Sequence, residues 1–552
     1  MNVQTPNLPD LTGGTSLAPL PEEGTALRPA SRTWLLARPA LLVLSLVAFA
    51  WRVHGLTGQS LWRDEVDAIY FATRHLPETL RMFVLPGQNG PLFFLALRPW
   101  FSLVGTSEFA LRYPSALAGM LSVPLLYQVA RRLLPSRPGG WRGGILPLLA
   151  GLFLAVNPYQ LWYSQEGKMY AVIVALVLLA TWLWWKGITR GGWRPWLAYW
   201  ATLTLALYTH LLMILIFPLH GLWFLLAWPQ AKRHWRGYGA ALAGLTLPYL
   251  PMVWWQWDLL LAKEQRTGFQ FTPLADMLET LLYNHSRGFM PPGPVVWMAP
   301  VFFLAAAGLL LGMEEVGEGD PADEALLAPW RRMALLWTWL LVPVLTIYGL
   351  SLRQPIFTDR YVIWIGPALM LLMALGVAAV YHSGGKVGRW IAVGLVVYVV
   401  GFWLYAGWQQ KTLPTKYNLR DGVQFIAQHR QPDALLILQI PHMEYAYRYY
   451  TSDFGPRPFH DSEARLAPWA PGLWTNTNLP DEQARQAVAQ QMAGLTAGFR
   501  DVWVLRSEVE MWDQRHLMDE WLAQNGVLVD QADFHGVQVR HYRLGVPEGA
   551  GG

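Results

Sequence analysis

Long apolar runs recur along most of this chain, each close to the roughly 20 residues that a helix needs to cross a bilayer. They lie at Trp34–Val53, Arg112–Leu133, Gly144–Tyr163, Met169–Trp185, Pro195–Tyr208, Leu211–Trp228, Tyr238–Trp257, Pro294–Met313, Met333–Leu352, Tyr361–Tyr381 and Trp390–Trp408. This pattern predicts a polytopic α-helical membrane protein with about eleven transmembrane helices. Composition agrees. Only 14% of the 552 residues are charged and 53% are hydrophobic, against about 25% charged in a soluble domain. The 31 Trp and 22 Tyr suit aromatic belts at the two interfaces. With no cysteine, disulfides, thiolate metal sites and cysteine nucleophiles are excluded. A net charge of +5, carried mainly in short loops, reads as a topology signal rather than a nucleic-acid footprint.

One further apolar stretch, "PLFFLALRPWFSLVG" (Pro91–Gly105), is short and is expected to be broken at Arg98-Pro99. Stretches of that length lie in the interface or re-enter more often than they span. Lys and Arg decide the case. If it does not cross and the N-terminus is cytoplasmic, then "ARRLLPSRPGGWRGG", "KGITRGGWR", "QAKRHWRG" and "GGKVGR" all fall inside, as the positive-inside rule requires. Residues 1–32 then form a disordered cytoplasmic tail. Trp34–Val53 becomes an uncleaved first span. Residues 33–408 form the membrane domain, with one long external loop over 55–111. Residues 409–552 have ordinary polarity. Their helix-like and strand-like segments alternate, which predicts a small extracytoplasmic α/β domain. Thr451–Pro480 reads as an irregular surface loop.

The chemically interesting loops all fall on the external side. "GQSLWRDEVDAIYFATRH" packs Asp64, Glu65 and Asp67 beside Trp62 and Arg63. If helical, Asp64 and Asp67 share a face. "NPYQLWYSQEGKMYA" gathers Asn157, Tyr159, Tyr163, Gln165, Glu166 and Lys168 at a helix rim, where ionisable groups usually face a cavity. "RQPIFTDRYV" brings Arg353, Asp359, Arg360 and Tyr361; arginine can bind phosphate oxygens in a two-pronged fashion. His210 lies in the tight "YTH" turn, and Tyr283, His285 and Arg287 lie in "LLYNHSRGF". Each has a plain structural reading: a solvated loop acid, a snorkelling arginine, a core histidine. Their shared side argues for a site.

These motifs resemble those of the GT-C superfamily of membrane glycosyltransferases, in particular the family 39/83 branch related to protein O-mannosyltransferases and the aminoarabinose transferase of lipid A. "LWRDEVDAIY" is similar to the first-loop acidic motif, and "YSQEGKMYA" to a "YSQEARMYA" motif. "NGPLFFLALRPWFSLVG", "LYTH" and "DRYVIWIGPALMLLMALG" match further landmarks. The resemblance covers about Trp34 to Trp408. It implies transfer of a sugar from a polyprenyl-phosphate donor to an acceptor hydroxyl outside the cytoplasmic membrane, with inversion. Acceptors would be a glycan, a lipid or a protein; membrane lipids would surround the chain.

By that resemblance the catalytic acids are Asp64, the general base, Glu65, its neighbour in the motif, and Glu166, a second-loop acid holding acceptor or metal. Lys168, Arg360 and Tyr361 would meet the donor phosphate. Asn89, Tyr163, Gln165, His210 and His285 would line the substrate site. Relatives often carry His or a Glu-Lys pair where this chain has Gln88 and Asn89, so a divalent metal stays open and no cofactor is assigned. Two rival readings compete. A catalytically silent GT-C-fold scaffold would not need Asp64, Glu166 and Arg360 together. A transporter would place its charges near the bilayer midplane rather than at one rim.

Overall fold

The computed structural model describes residues 32–82, 84, 90–134, 144–261, 269–316, 327–440, 443–451, 466–468, 479–509 and 513–545. The apolar runs are helical. In chain order these are α1 (Arg32–Val53), α2 (Arg63–Thr73), α3 (Leu76–Arg81), α4 (Leu92–Val104), α5 (Glu108–Leu133) and α6 (Ile145–Val156). There follow α7 (Pro158–Ser164), α8 (Tyr170–Arg190), α9 (Trp193–Thr209), α10 (Ile216–Leu226), α11 (Trp228–Ala231) and α12 (Trp235–Leu261). Then come α13 (Leu274–Arg287), α14 (Ala299–Leu311), α15 (Pro329–Ser351), α16 (Gly366–Ser383) and α17 (Gly385–Thr412).

Among the described residues six helical segments are long and apolar enough to cross a membrane: Glu108–Leu133, Tyr170–Arg190, Val295–Glu314, Pro329–Ser351, Asp359–Ser383 and Gly385–Thr412. The pair α6 and α7, bent by 60°, makes a seventh if it is one span. The expected spans at Trp34–Val53, Pro195–Tyr208, Leu211–Trp228 and Tyr238–Trp257 are also helical, as α1, α9, α10 and α12. Of these, α9 has 17 residues and α10 has 11. The chain is a polytopic helical membrane protein. Its outward faces carry bare apolar side chains such as Leu42, Val397 and Trp254, which suit hydrocarbon rather than water.

The innermost helix is α16. Its sequence, GPALMLLMALGVAAVYHS, is apolar on every side, and a helix apolar all round must be surrounded. Two glycines let α14 lie against it. A Cβ on Gly308 would stand 1.8 Å from the Leu372 carbonyl oxygen, and one on Gly376 would stand 2.0 Å from that of Leu304. Without a water-driven term between helices, such small-residue contacts are how they close. The α6/α7 bend is equally local. Pro158 disfavours the helical conformation at Asn157, which sits at φ −57°, ψ 123°. The Asn157 side chain then caps α7 by accepting from the Gln160 N–H at 3.0 Å.

The Pro91–Gly105 stretch departs from expectation. It is one uninterrupted helix, α4, with Pro99 inside it. Its 13 residues reach only about 20 Å. Arg98 does not break it. Its guanidinium donates to the carbonyls of Ala72 (2.8 Å) and Arg74 (2.7 Å) at the end of α2, so the pair ties α4 to the acidic helix.

After α17 the chain forms α18 (Leu419–His429), β1 (Leu435–Leu438), α19 (Met443–Thr451), β2 (Leu466–Pro468), α20 (Asp481–Thr496), β3 (Asp501–Ser507), α21 (Leu517–Asn525), β4 (Gly526–Phe534) and β5 (Val537–Leu544). The five strands make one sheet in the order β2-β1-β3-β5-β4. The β1 pairs with β2 and β3 are parallel; those of β5 with β3 and β4 are antiparallel. Alternation along β1 separates two faces. Leu435 and Ile437 pack with α20 and α21 through Val488, Met492, Leu517 and Leu522. Leu436 and Leu438 belong to the core that runs on into the membrane helices. Within the Thr451–Pro480 stretch read as an irregular loop, Leu466–Pro468 is a strand on β1; residues 452–465 and 469–478 lie outside the described residues.

Candidate active site

The expected acidic loop is helical: Asp64, Glu65 and Asp67 all lie on α2. Glu65 is fully buried and takes a different part from its neighbour. Its carboxylate accepts from Arg112 Nε at 2.7 Å and Nη2 at 2.6 Å, from Lys416 Nζ at 3.0 Å and from the Gly167 N–H at 2.8 Å. Arg112 in turn donates to the carbonyls of Leu56, Gln59 and Ser60. All five guanidinium N–H groups are thereby used. Burial alone would raise the Glu65 carboxyl, but Arg112 and Lys416 hold it down to about 2. Glu65 therefore fixes the loop entering α2, the Glu166 turn and the chain after α17; it is a positioning residue.

Asp64 sits beside this lock and keeps 16% of its side chain exposed. Its Oδ2 lies 3.1 Å from Arg360 Nη1, and its Oδ1 lies 3.8 Å from Arg63 Nε. Burial pushes its carboxyl up, but Lys168, Arg360 and Arg63 outweigh that and hold it below the usual carboxylate range. Arg360 lies over the rings of Tyr170 (5.6 Å) and Trp62 (5.9 Å). Lys168 is buried, with its ammonium 5.7 Å from the Phe94 ring centre.

Glu166 is the anomaly. It has no exposure, and neither carboxylate oxygen has a hydrogen-bond partner. Burial pushes it up to about 7, against the cations of Lys416 and Arg360 and with the anions of Glu65 and Asp64. Buried acceptors left unpaired are uncommon and costly. A carboxyl poised near neutrality in a charged cluster is a recurrent mark of function.

The other expected residues divide. Tyr361 places its ring 4.8 Å from that of His210. His210 accepts from the Leu212 N–H through Nδ1 and leaves Nε2 without a partner. Tyr163 is buried among Tyr159, Tyr170 and Phe289. His285 is buried edge-on to Tyr159 at 4.7 Å with both ring nitrogens unpartnered; burial lowers it to about 3, so it is neutral. Gln165 is a clamp, donating to the carbonyls of Arg52 (2.8 Å) and His54 (2.9 Å). Asn89 lies outside the described residues. Asp359, next to Arg360, accepts from Tyr159 (3.0 Å) and Asn284 (2.6 Å) and braces the turn. Among the described residues, no three acid or imidazole groups around Asp64 converge within 4.8 Å of one another.

Three residues escaped the sequence reading. Arg112 looked like the polar start of a span; a charge entering an apolar helix needs a partner, which was the available signal. Lys416 and Gln59 had none. Gln59 accepts from Thr415 N–H (3.1 Å) and Lys416 N–H (2.9 Å) and donates to the Gln410 carbonyl (2.7 Å). It pins the chain after α17 to the external loop and so delivers Lys416.

A buried acid-base cluster where α2, the α7–α8 turn and the Asp359–Ile365 turn meet can be compared with known folds. Residues 88–257 match the family described as dolichyl-phosphate-mannose-protein mannosyltransferase. The fold is similar to ArnT from Cupriavidus metallidurans, at 14% identity over 92% of this chain and 98% of that one, with a TM-score of 0.53. ArnT has also been solved bound to undecaprenyl phosphate. The fold is likewise similar to the archaeal oligosaccharyltransferase AglB from Archaeoglobus fulgidus, solved with an inhibitory peptide and a dolichol-phosphate. That match has 12% identity over 93% of this chain and 75% of that one, with a TM-score of 0.54. These likenesses show the fold: a polytopic helical membrane architecture of the kind seen in these two proteins. No curated protein sequence matches it significantly. In this chain the cluster joins the first-loop acid to an arginine from the turn that leads into α16.

Proposed function

We propose that the protein is a glycosyltransferase that moves a sugar from a polyprenyl-phosphate donor to an acceptor hydroxyl on the extracytoplasmic face. The observation that carries this reading is the 3.1 Å contact between Asp64 and Arg360. It sets a partly exposed carboxylate beside a cation suited to phosphate. The likeness to folds solved with undecaprenyl phosphate and dolichol-phosphate supports the donor class.

The reaction is a displacement. The acceptor oxygen forms a bond to the anomeric carbon as that carbon's bond to the phosphate oxygen breaks, and the configuration inverts. Asp64 takes the acceptor proton, which makes a poor nucleophile competent. Polyprenyl phosphate leaves, and Arg360, with Lys168 and the Tyr361 hydroxyl, stabilises the charge that builds on it. Arg360 is shared. In the resting protein it pairs with Asp64 and, together with Lys168 and Arg63, keeps that carboxyl weakly basic. A donor phosphate competes for the guanidinium, so Asp64 loses a charge partner and becomes a stronger base when substrate is present. His210 and Tyr163 line this region. Glu166, near neutrality, can hold or yield a proton beside Lys416 without contacting the acceptor.

In topology, the N-terminus is cytoplasmic, residues 33–408 form the membrane domain, and residues 409–552 lie outside over the site, in the inner membrane of a prokaryote. Gln59 and Lys416 support that placement, since they join the last segment to the acidic loop. The test uses purified wild type and Asp64→Asn with polyprenyl-phosphate sugars and an acceptor extract. Wild type should release polyprenyl phosphate, and the variant should fall at least about a hundredfold. Equal turnover would remove Asp64 from the chemistry.

A further inference from the structure

A second cluster lies far along the chain, at the start of α21. Asp513 is fully buried. Its Oδ1 accepts from the Leu517 N–H at 3.0 Å, and its Oδ2 has no partner. Asp519 gives its Oδ2 to Arg506 at 2.6 Å and to His516 Nδ1 at 3.3 Å, while its Oδ1 is buried and unpartnered. One ligand atom from each of Asp513, His516 and Asp519 lies within 4.8 Å of the other two. Asp513 is buried and Asp519 half-buried, each with one open carboxylate oxygen, and a buried open carboxylate oxygen is costly unless a proton or a cation meets it.

We propose that Asp513, His516 and Asp519 form a divalent-cation site. One imidazole with two carboxylates suits Zn²⁺ or Mn²⁺ better than the all-oxygen shell that Ca²⁺ takes. Arg506 holds one oxygen of Asp519 and so orients the other, the kind of outer support that metal ligands commonly have. With three protein ligands, coordination positions remain open.

Two of the three, His516 and Asp519, line a cavity of about 830 Å³ whose walls also include Arg506 and Glu508. Glu508 is ion-paired at 2.8 Å with Arg63, the residue before Asp64. The cation would thus face a cavity that adjoins the acidic helix and would take an oxygen ligand, hydroxyl or anionic, from it. The inference does not depend on the glycosyltransferase reading.

The test uses the full chain in detergent, stripped with chelator and then dialysed against ZnCl₂ or MnCl₂. Bound cation is counted by elemental mass spectrometry for wild type, Asp513→Asn and His516→Asn. The last variant keeps a residue that tolerates the φ of +52° at this position, so it tests the site even if Asp513→Asn does not fold. Wild type should hold one equivalent more than His516→Asn, with at least tenfold tighter affinity. Equal binding by wild type and His516→Asn, or no binding by wild type, would overturn the proposal.

Discussion

Glu65 and Arg112 meet through two hydrogen bonds, at 2.7 and 2.6 Å, with no more than 2% of either side chain exposed. Removing one partner leaves the other charge buried. Arg112→Ala is therefore expected to cost about 3–5 kcal/mol, and the double substitution Glu65→Leu with Arg112→Met less than either single change. Arg112→Lys should also fail, because a point charge cannot replace a five-donor fork. Thermal melting of the detergent-solubilised set decides this.

The same cluster sets a pH dependence. Glu65, held near 2, contributes stability above the ordinary carboxylate value of 4.5 and loses it as pH falls toward 2. Glu166 acts in the opposite sense. Between pH 4.5 and about 7 the unfolded chain releases a proton that the folded chain keeps, so stability falls over that window and levels off above it. Glu166→Gln should flatten the pH 4.5–7 slope. Melting temperatures across pH 4–8 would show it, and an unchanged slope would assign that loss to another group.

Gln165 separates clamp from ligand. As a clamp on the end of α1, Gln165→Ala should cost about 1 kcal/mol or slightly more and leave donor KM unchanged. A several-fold rise in donor KM at unaltered melting temperature would return it to the substrate site.

Gly308 tests the helix packing. Gly308→Ala puts a methyl on the Leu372 carbonyl, and backbone cannot move aside as a side chain can. A loss of about 1–3 kcal/mol or more is expected, seen as a lowered melting temperature, whereas an alanine at outward-facing Gly394, with open space around it, should be silent.

Much of this was readable before the structure. Apolar length gives the helices, and the short continuous apolar run in "DALLILQI" gives a strand buried on both faces. Asp64, Glu166, Lys168 and Arg360 stand out because charges at the rim of apolar helices need a reason. What was not readable depends on long-range geometry. Gln165 and Gln59 carry the same polar amide, and only the fold shows both as clamps on backbone. Lys416 sits in "LPTKYN" with no periodicity to mark it, and it acquires meaning only through Glu65, which lies far away in sequence. Pro99 marks a helix end by its chemistry, yet α4 runs through it, held by the Arg98 bonds to α2.

The central claim is that Arg360 is shared between Asp64 and the donor phosphate. Binding of polyprenyl phosphate to wild type, Asp64→Asn and Arg360→Gln tests it most directly, by titration in detergent at fixed ionic strength. With its competitor neutralised, Asp64→Asn should bind the lipid phosphate several-fold to tenfold more tightly than wild type although its turnover is lost, and Arg360→Gln should bind it at least tenfold more weakly. If Asp64→Asn binds no better than wild type, or if Arg360→Gln binds as well, the two groups do not compete and the account is wrong.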